Sequence, residues 1–283
     1  MRFAVIADIH SNYYALESVL ADFRTVQPDF VIVAGDFINR GPQPREVMQV
    51  LRAHPDWTIL RGNHEDYVIA QCCDFDAHNP LANPIWQPAR WTAGQLHKNA
   101  GEFAHLPIQT AFDIDTQRVL VAHGTPQINN DGVFAKTSDD ELRAMLNSEV
   151  LDDETPSLFI GAHTHASLHR ELTIEDKRVQ VVNVGSLGLP FNGDARAQYG
   201  VFTWRNNAWN IELRRIEYSI DATLRAFETH GFSDGGGPLS QIIKREVETA
   251  RPHLGPWVRD FAERVRNHEM TVADAVEDYL ALN

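Results

Sequence analysis

Six times in this chain a short apolar run closes on a side chain able to hold a metal ion: VIAD at Asp8, VIVAGD at Asp36, ILRGNH at Asn63 and His64, VLVAH at His123, FIGAHTH at His163 and His165, and VVNVGS at Asn183. Short apolar runs bounded by polar breaks read as buried strands. Between the first of them lie helix signals. Ser11 or Asn12 can cap a helix whose apolar positions Ala15, Leu16, Val19, Leu20 and Phe23 follow i, i+3, i+4 spacing, and Pro44 opens another with Val47, Met48 and Leu51 on one side. With strands at 2–7, 29–35 and 57–61, the order is βαβαβ, the pattern of a parallel sheet. Ligands of open α/β sheets bind beyond the carboxyl ends of the strands, so polar residues recurring there should converge in space.

The 283 residues allow one large domain, or a domain of about 200 residues with an appendage; the second is expected here. No apolar run approaches the ~18 residues needed to span a bilayer. The opening MRFAVIADIH carries one Arg and soon meets Asp8, so it reads as a strand and not as a signal peptide, and a cytoplasmic address is expected. Cys72 and Cys73 are adjacent, where a disulfide would be strained, and they read as reduced, partly buried helix residues. A net charge of −14 argues against long-range attraction to nucleic acid or an anionic membrane. Any phosphate must therefore be drawn by local positive charge, which bound metals can supply.

Residues 74–110, punctuated by Pro80, Pro84, Pro88 and Pro107 and holding Trp86 and Trp91, read as an insertion over the carboxyl edge of the sheet, with a helix from about 86 to 105. Strands resume at 119–122, 158–161 and 179–184, around a helix at 139–147 whose Ser138 and Glu141 fit a capping box. Tyr199–Trp204 and Trp209–Ile216 flank an RNNA turn as a hairpin. Helices then follow at 221–229, closed by Gly231, and, after Gly235, Gly236 and Gly237, at 239–250, 256–267 and 272–281. This tail shows no chemistry of its own, and packing, self-association or service as a lid are all open to it.

The strand-end residues have complementary uses. Asp8 and His10 stand two apart, so on an extended chain they face one side and can share a metal. Asp36 follows Gly35, which permits close backbone approach, and its two carboxylate oxygens can bridge cations about 3.5 to 4 Å apart. Asn63 offers a neutral oxygen that does not titrate, and His64 beside it is placed to face the substrate. His123, His163 and His165 complete the set. Singly, each is an ordinary cap or edge residue; jointly they make the ligand set of a two-metal hydrolytic centre. Arg40 and Arg61 suit phosphate oxygens, because a guanidinium fork matches them.

Five of these segments, Asp8-Ile9-His10, Gly35-Asp36, Gly62-Asn63-His64-Glu65, His123 and Ala162-His163-Thr164-His165, resemble the D-x-H, G-D, G-N-H-[ED], H and G-H-T-H segments of the calcineurin-like metallophosphoesterases, in the same order. The likeness spans roughly residues 1–218. It implies an α/β fold, a four-layer α-β-β-α sandwich, with 74–110 as a cap and 219–283 as a helical C-terminal extension. It also implies two divalent metal ions, Mn²⁺ first, with Fe, Zn, Ni or Mg as alternatives. One takes Asp8, His10, Asp36 and His165, the other Asp36, Asn63, His123 and His163. Asp36 and His64 are the implied catalytic residues, with His64 stabilising the transition state or protonating the leaving oxygen, and Arg40, Arg61 and Asn63 meet the substrate.

Two subgroups leave marks. Gly35-Asp36-Phe37-Ile38-Asn39-Arg40-Gly41 and Leu60-Arg61-Gly62-Asn63-His64-Glu65 look like the serine/threonine protein phosphatases and symmetrical dinucleoside tetraphosphatases. However, Asn39 replaces the Asp that orients the catalytic His in the phosphatases. His123-Gly124-Thr125-Pro126, Asn183-Val184-Gly185-Ser186 and the stretch from Gly41 to Val47 are similar to the small bacterial and archaeal phosphodiesterases and asymmetrical dinucleoside tetraphosphate hydrolases. A small phosphodiester or nucleotide is thus the expected substrate, with Trp86, Trp91 or Tyr13 as candidates to stack on a base. A protein phosphatase or phosphomonoesterase, and a non-catalytic scaffold, are the other readings. No membrane or nucleic-acid partner is expected, and a homo-oligomer is left open. Ala162 stands where the family has Gly, and a methyl there has scope to crowd the second metal, although the ligand side-chain types are all retained. Asn183 is not a ligand in the resemblance.

Overall fold

The computed structural model describes residues 1–72, 83–97 and 99–283, so Cys73 and residues 74–82 of the expected insertion lie outside the described residues. The chain begins with β1 (Arg2–Ile6), α1 (Tyr13–Val26), β2 (Phe30–Ala34), α2 (Pro44–Ala53), β3 (Thr58–Leu60) and α3 (Asn63–Ala70). Strands β1, β2 and β3 pair in parallel, as the alternation predicts. Asn12 caps α1 by accepting the N–H of Ala15, and Pro44 supplies the first turn of α2.

Next come α4 (Gln87–Gln95), β4 (Gln109–Ile114), β5 (Gln117–Ala122), α5 (Asp139–Leu146), α6 (Ser148–Leu151), β6 (Leu158–Gly161), β7 (Leu168–Ile174), β8 (Lys177–Asn183), β9 (Ala197–Arg205) and β10 (Ala208–Ile216). The single helix expected from 86 to 105 is instead α4 followed by a 3₁₀ segment at Asn99–His105. Gly94 and Gly101, poor helix formers, fall in that stretch. Asn206 and Asn207 both adopt positive φ, 54° and 56°, which gives the RNNA hairpin a turn whose twist matches its strands.

The strands form two five-stranded mixed sheets, ordered β10-β9-β1-β2-β3 and β4-β5-β6-β8-β7. Between them lie Phe3, Val5, Ile32 and Leu60 from the first sheet and Val119, Val121, Leu158, Ile160 and Val182 from the second. Behind the first sheet, Ala4, Ile6, Val31 and Val33 pack under Leu16 and Val19 of α1 and Val47 and Leu51 of α2. Behind the second, Leu120, Phe159, Val179 and Val181 pack under Leu142 and Leu146 of α5. This is the expected α-β-β-α layering. Edge strands β4 and β7 escape the sequence reading because half of each faces solvent, so their residues alternate and form no apolar run.

The tail folds as α7 (Ile220–Thr229), α8 (Phe232–Gly235), α9 (Leu239–Thr249), α10 (Leu254–Arg266) and α11 (Val272–Leu282). Leu239, Ile242, Trp257, Val265, Val276 and Tyr279 make one cluster among α9, α10 and α11. A second, of Phe227, Phe232, Ile243 and Val247 with Leu189 and Trp91, ties α7, α8 and α9 to the sandwich. Among the described residues no helix is long and apolar enough to cross a membrane.

Candidate metal centre and its cavity

The candidate ligands sit on the turns that follow the strands, and their backbone is unusual. Asp8, His10, Asp36, His163 and His165 have φ of 51°, 48°, 52°, 67° and 56°, left-handed conformations that cost about 1 kcal/mol or more for a residue with a Cβ. Asp8 and His10 therefore share a side because the chain turns at both, and not because the strand stays extended as their spacing suggests. The turns are held by Asp8 N–H to the Gly35 carbonyl (3.1 Å) and His10 N–H to the Asp36 carbonyl (3.0 Å). Gly35 itself has φ 81°, and a Cβ there would stand 2.7 Å from both Gly62 N and His123 Nδ1, so no other residue fits.

Each carboxylate spends one oxygen on the backbone. Asp8 Oδ2 accepts the N–H of His163 (3.1 Å) and Asp36 Oδ1 that of His64 (2.8 Å). The other two, Asp8 Oδ1 and Asp36 Oδ2, are buried without a hydrogen bond. Asp8 Oδ1 lies 3.3 Å from His165 Nε2, and Asp36 Oδ2 lies 3.3 Å from His123 Nε2 and 3.8 Å from His10 Nε2. Asn63 Oδ1 is 3.1 Å from His123 Nε2 and 3.0 Å from His163 Nδ1. Donor atoms converging in this way resemble the edges of coordination polyhedra, since ligands near 2.1 Å from a cation stand about 3.0 to 3.4 Å apart. Asp8, His10, Asp36 and His165 form one group and Asp36, His123 and His163 another, with the ligand atoms of each within 4.8 Å of one another. The donor set fits divalent cations. Asp36 turns Oδ2 toward both groups, while its Oδ1 is committed to the N–H of His64.

Imidazole tautomers are fixed from behind. His123 Nδ1 donates to the Ala34 carbonyl (2.8 Å) and His165 Nδ1 to that of Leu189, which turns their Nε2 atoms inward. Burial, reinforced by His64 and His165, keeps the His10 pKa well below its ordinary value. Burial would raise Asp36, but the neighbouring His123 overcomes it and holds the carboxyl well below the usual range. Burial also opposes a proton on His123, yet Asp36 prevails and lifts it to about 10. A cation must displace that proton. Glu65, pushed up to about 8 by burial and by Asp36, accepts the N–H groups of Asp36, Gly62 and Ile38 and so ties two ligand loops together.

Above the ligands opens a cavity of about 760 Å³, whose walls include Asp36, Asn63, His163, His165, His64 and Arg40. His64 is kept neutral chiefly by burial, against the pull of Asp36. Its Nδ1 accepts from Asn39 Nδ2 (2.9 Å), while Asn39 Oδ1 is committed to the N–H of Arg40 (2.9 Å). The neutral ring therefore carries its proton on Nε2, where it can be donated to a phosphoryl or leaving oxygen. Arg61 does not line the cavity: its Nε lies 3.1 Å from Asp66 Oδ1 and its Nη1 donates to the Ala104 carbonyl. Of the three aromatic candidates only Trp86 lines the cavity. Trp91 packs edge-on against Phe232, and the hydroxyl of Tyr13 meets Glu17. Ala162 is buried in the cluster between the sheets. Asn183, the sixth strand end, donates to the Ala162 carbonyl and to Thr164 Oγ1 and so steadies the turn bearing His163 and His165.

Asn39 stands against His64, at the position where the phosphatases carry the orienting Asp; sequence reading missed Tyr67 and Phe191 on the walls, and above all the tail. Ile243 of α9 and Leu254, Val258 and Ala262 of α10 form one side of the cavity. Glu246 of α9 is buried; its Oε1 accepts the N–H groups of His253 and Leu254 at the start of α10, and its Oε2 lies 4.0 Å from Arg40 Nη1. Glu246→Ala is expected to cost about 2–4 kcal/mol in urea unfolding, because two N–H groups and a partly buried guanidinium lose their acceptor. Glu246→Gln should cost less, since its amide oxygen keeps the two backbone bonds.

A family model for calcineurin-like phosphoesterases matches residues 1–187, a stretch that holds all seven candidate ligands. The chain belongs to this family. An uncharacterised protein of Methanocaldococcus jannaschii is 26% identical over 231 residues, 77% of this chain and 88% of that one. The symmetrical bis(5'-nucleosyl)-tetraphosphatase of Erwinia tasmaniensis is 23% identical over 269 residues, 89% of this chain and 75% of that one. A metallophosphoesterase crystal structure from Sphaerobacter thermophilus shares the fold with a TM-score of 0.65 and 24% identity, covering 88% of this chain and 100% of that one. Family membership and the buried Asp/His cluster make this calcineurin-like phosphoesterase a metal-dependent phosphoric ester hydrolase.

Proposed function

We propose that this phosphoesterase works with two divalent cations, of which Mn²⁺ is the first candidate, and hydrolyses small phosphodiesters or nucleotide phosphoanhydrides. The observation that carries the reading is the pair of ligand groups meeting at Asp36 Oδ2 beneath a cavity that also holds His64 and Arg40. When bound, such cations supply Lewis acidity and an activated water. Asp8, His10, Asp36 and His165 hold one, and Asp36, Asn63, His123 and His163 the other. Arg40 positions phosphoryl oxygens, and the Nε2–H of His64 donates a hydrogen bond to the oxygen on which charge develops. A protein phosphatase is disfavoured, because α9 and α10 wall the cavity where a folded protein surface would have to approach. The kinship to a dinucleoside tetraphosphatase supports a small substrate.

Purified protein should bind two Mn²⁺ per chain and then cleave bis-p-nitrophenyl phosphate or a dinucleoside polyphosphate faster than p-nitrophenyl phosphate or a phosphopeptide. Preference for the phosphopeptide would reject the small-substrate reading, and no stoichiometric metal binding would revive a scaffold.

A further inference from the structure

The walls of the cavity are of two kinds, supplied by different elements. Near the floor they are polar: Asp36, Asn63, His64 and Arg40. From other elements, Leu254, Val258 and Ala262 of α10 and Ile243 of α9 line the same space with Ile85 and Trp86. We propose that the site takes phosphoesters bearing an apolar alkyl or aryl group, with the phosphate at the floor and the apolar group against α10 and Trp86. The inference rests on the hydrolytic reading above and narrows its substrate class.

Three observations carry it. The apolar wall and the ligand floor belong to one continuous cavity, about 760 Å³ in volume, which has room for a phosphate and a substantial organic group together. Among the described residues, the polar side chains lining it besides the candidate ligands, His64 and Arg40 are Asn39, Tyr67, Asn83 and Arg266. A sugar or base pressed against α10 would leave donors and acceptors unpaired, whereas a hydrocarbon gains by leaving water. Finally, Val258 is 44% exposed, one of a handful of large aliphatic side chains left so among the described residues, and it lines the cavity. Charge agrees: in a chain of net −14, Arg40 lines the floor of this cavity and favours an anionic head there.

The test is a series of alkyl p-nitrophenyl phosphates, from methyl to octyl, with the Mn²⁺-loaded protein. In each, water adds across one P–O bond, giving the alkyl phosphate and p-nitrophenol. The rate constant kcat/KM should rise about two- to fourfold per added methylene, and at least about a hundredfold from methyl to octyl. Val258→Asp should flatten that slope and Val258→Leu keep it; position 258 is open enough for both to fold. Calorimetry should show octylphosphonate binding more tightly than methylphosphonate, with a more negative heat-capacity change. Hydrolysis of every member with no dependence on chain length overturns the inference and leaves the hydrolytic reading standing. So does faster turnover of a dinucleoside polyphosphate than of the octyl ester. Failure to cleave any ester with metal fully bound overturns both.

Discussion

Asp36→Asn is expected to lower kcat/KM by on the order of 10³-fold or more and to reduce bound Mn²⁺ from two per chain to one or none. The amide oxygen can still accept the N–H of His64, now served by Asp36 Oδ1 at 2.8 Å. That places an NH₂ group where Oδ2 stands, 3.3 Å from His123 Nε2 and 3.8 Å from His10 Nε2. Two hydrogens then point into the place where lone pairs converge, and the negative charge that offsets two cations is gone. The fold should survive, because the substitution keeps the shape and the backbone bond. Metal content by atomic absorption and turnover of bis-p-nitrophenyl phosphate check both halves; full metal-dependent turnover in the variant would remove the shared-carboxylate assignment.

The second large effect is at His64. His64→Ala should retain both metals and lose about 10²- to 10³-fold in kcat, the usual loss when one donor to developing charge is removed. His64→Gln separates two roles. Because Asn39 holds Nδ1 as an acceptor, the ring acts as a neutral Nε2–H donor, and an amide can supply an N–H in nearly the same place. Gln should therefore recover at least about tenfold over Ala. Equal rates for the two variants would point to proton transfer, which an amide cannot perform. Single-turnover kinetics with metal content measured in parallel make the comparison.

The candidate centre was legible in the sequence because each ligand follows an apolar strand directly, and strand order alone gathers such ends at one edge. Asp8 and His10 show the limit of that reading. Their pairing was legible, but the left-handed turns that produce it, φ 51° and 48°, leave no periodic trace. The two roles of Asp36 oxygens were likewise hidden, since only the tertiary position of the His64 N–H decides which oxygen stays free. Arg61 misled because it precedes Gly62 in a phosphate-like context, while Asp66 and the Ala104 carbonyl capture its guanidinium. The wall formed by α9 and α10 was invisible for another reason. Amphipathic helices announce an apolar face but not what that face covers, and Val258 looks like any other member of such a stripe.

The left-handed backbone at five ligand positions sets the needs of the fold against those of the chemistry. Glycine would relax the main chain at Asp8, His10, Asp36, His163 and His165, and at each it would erase a ligand. Any search for greater stability, whether by selection or by design, is therefore drawn first to the residues this enzyme can least spare. Cations held by these candidate ligands would offset the cost of the turns, so resistance to heat should follow the concentration of free metal.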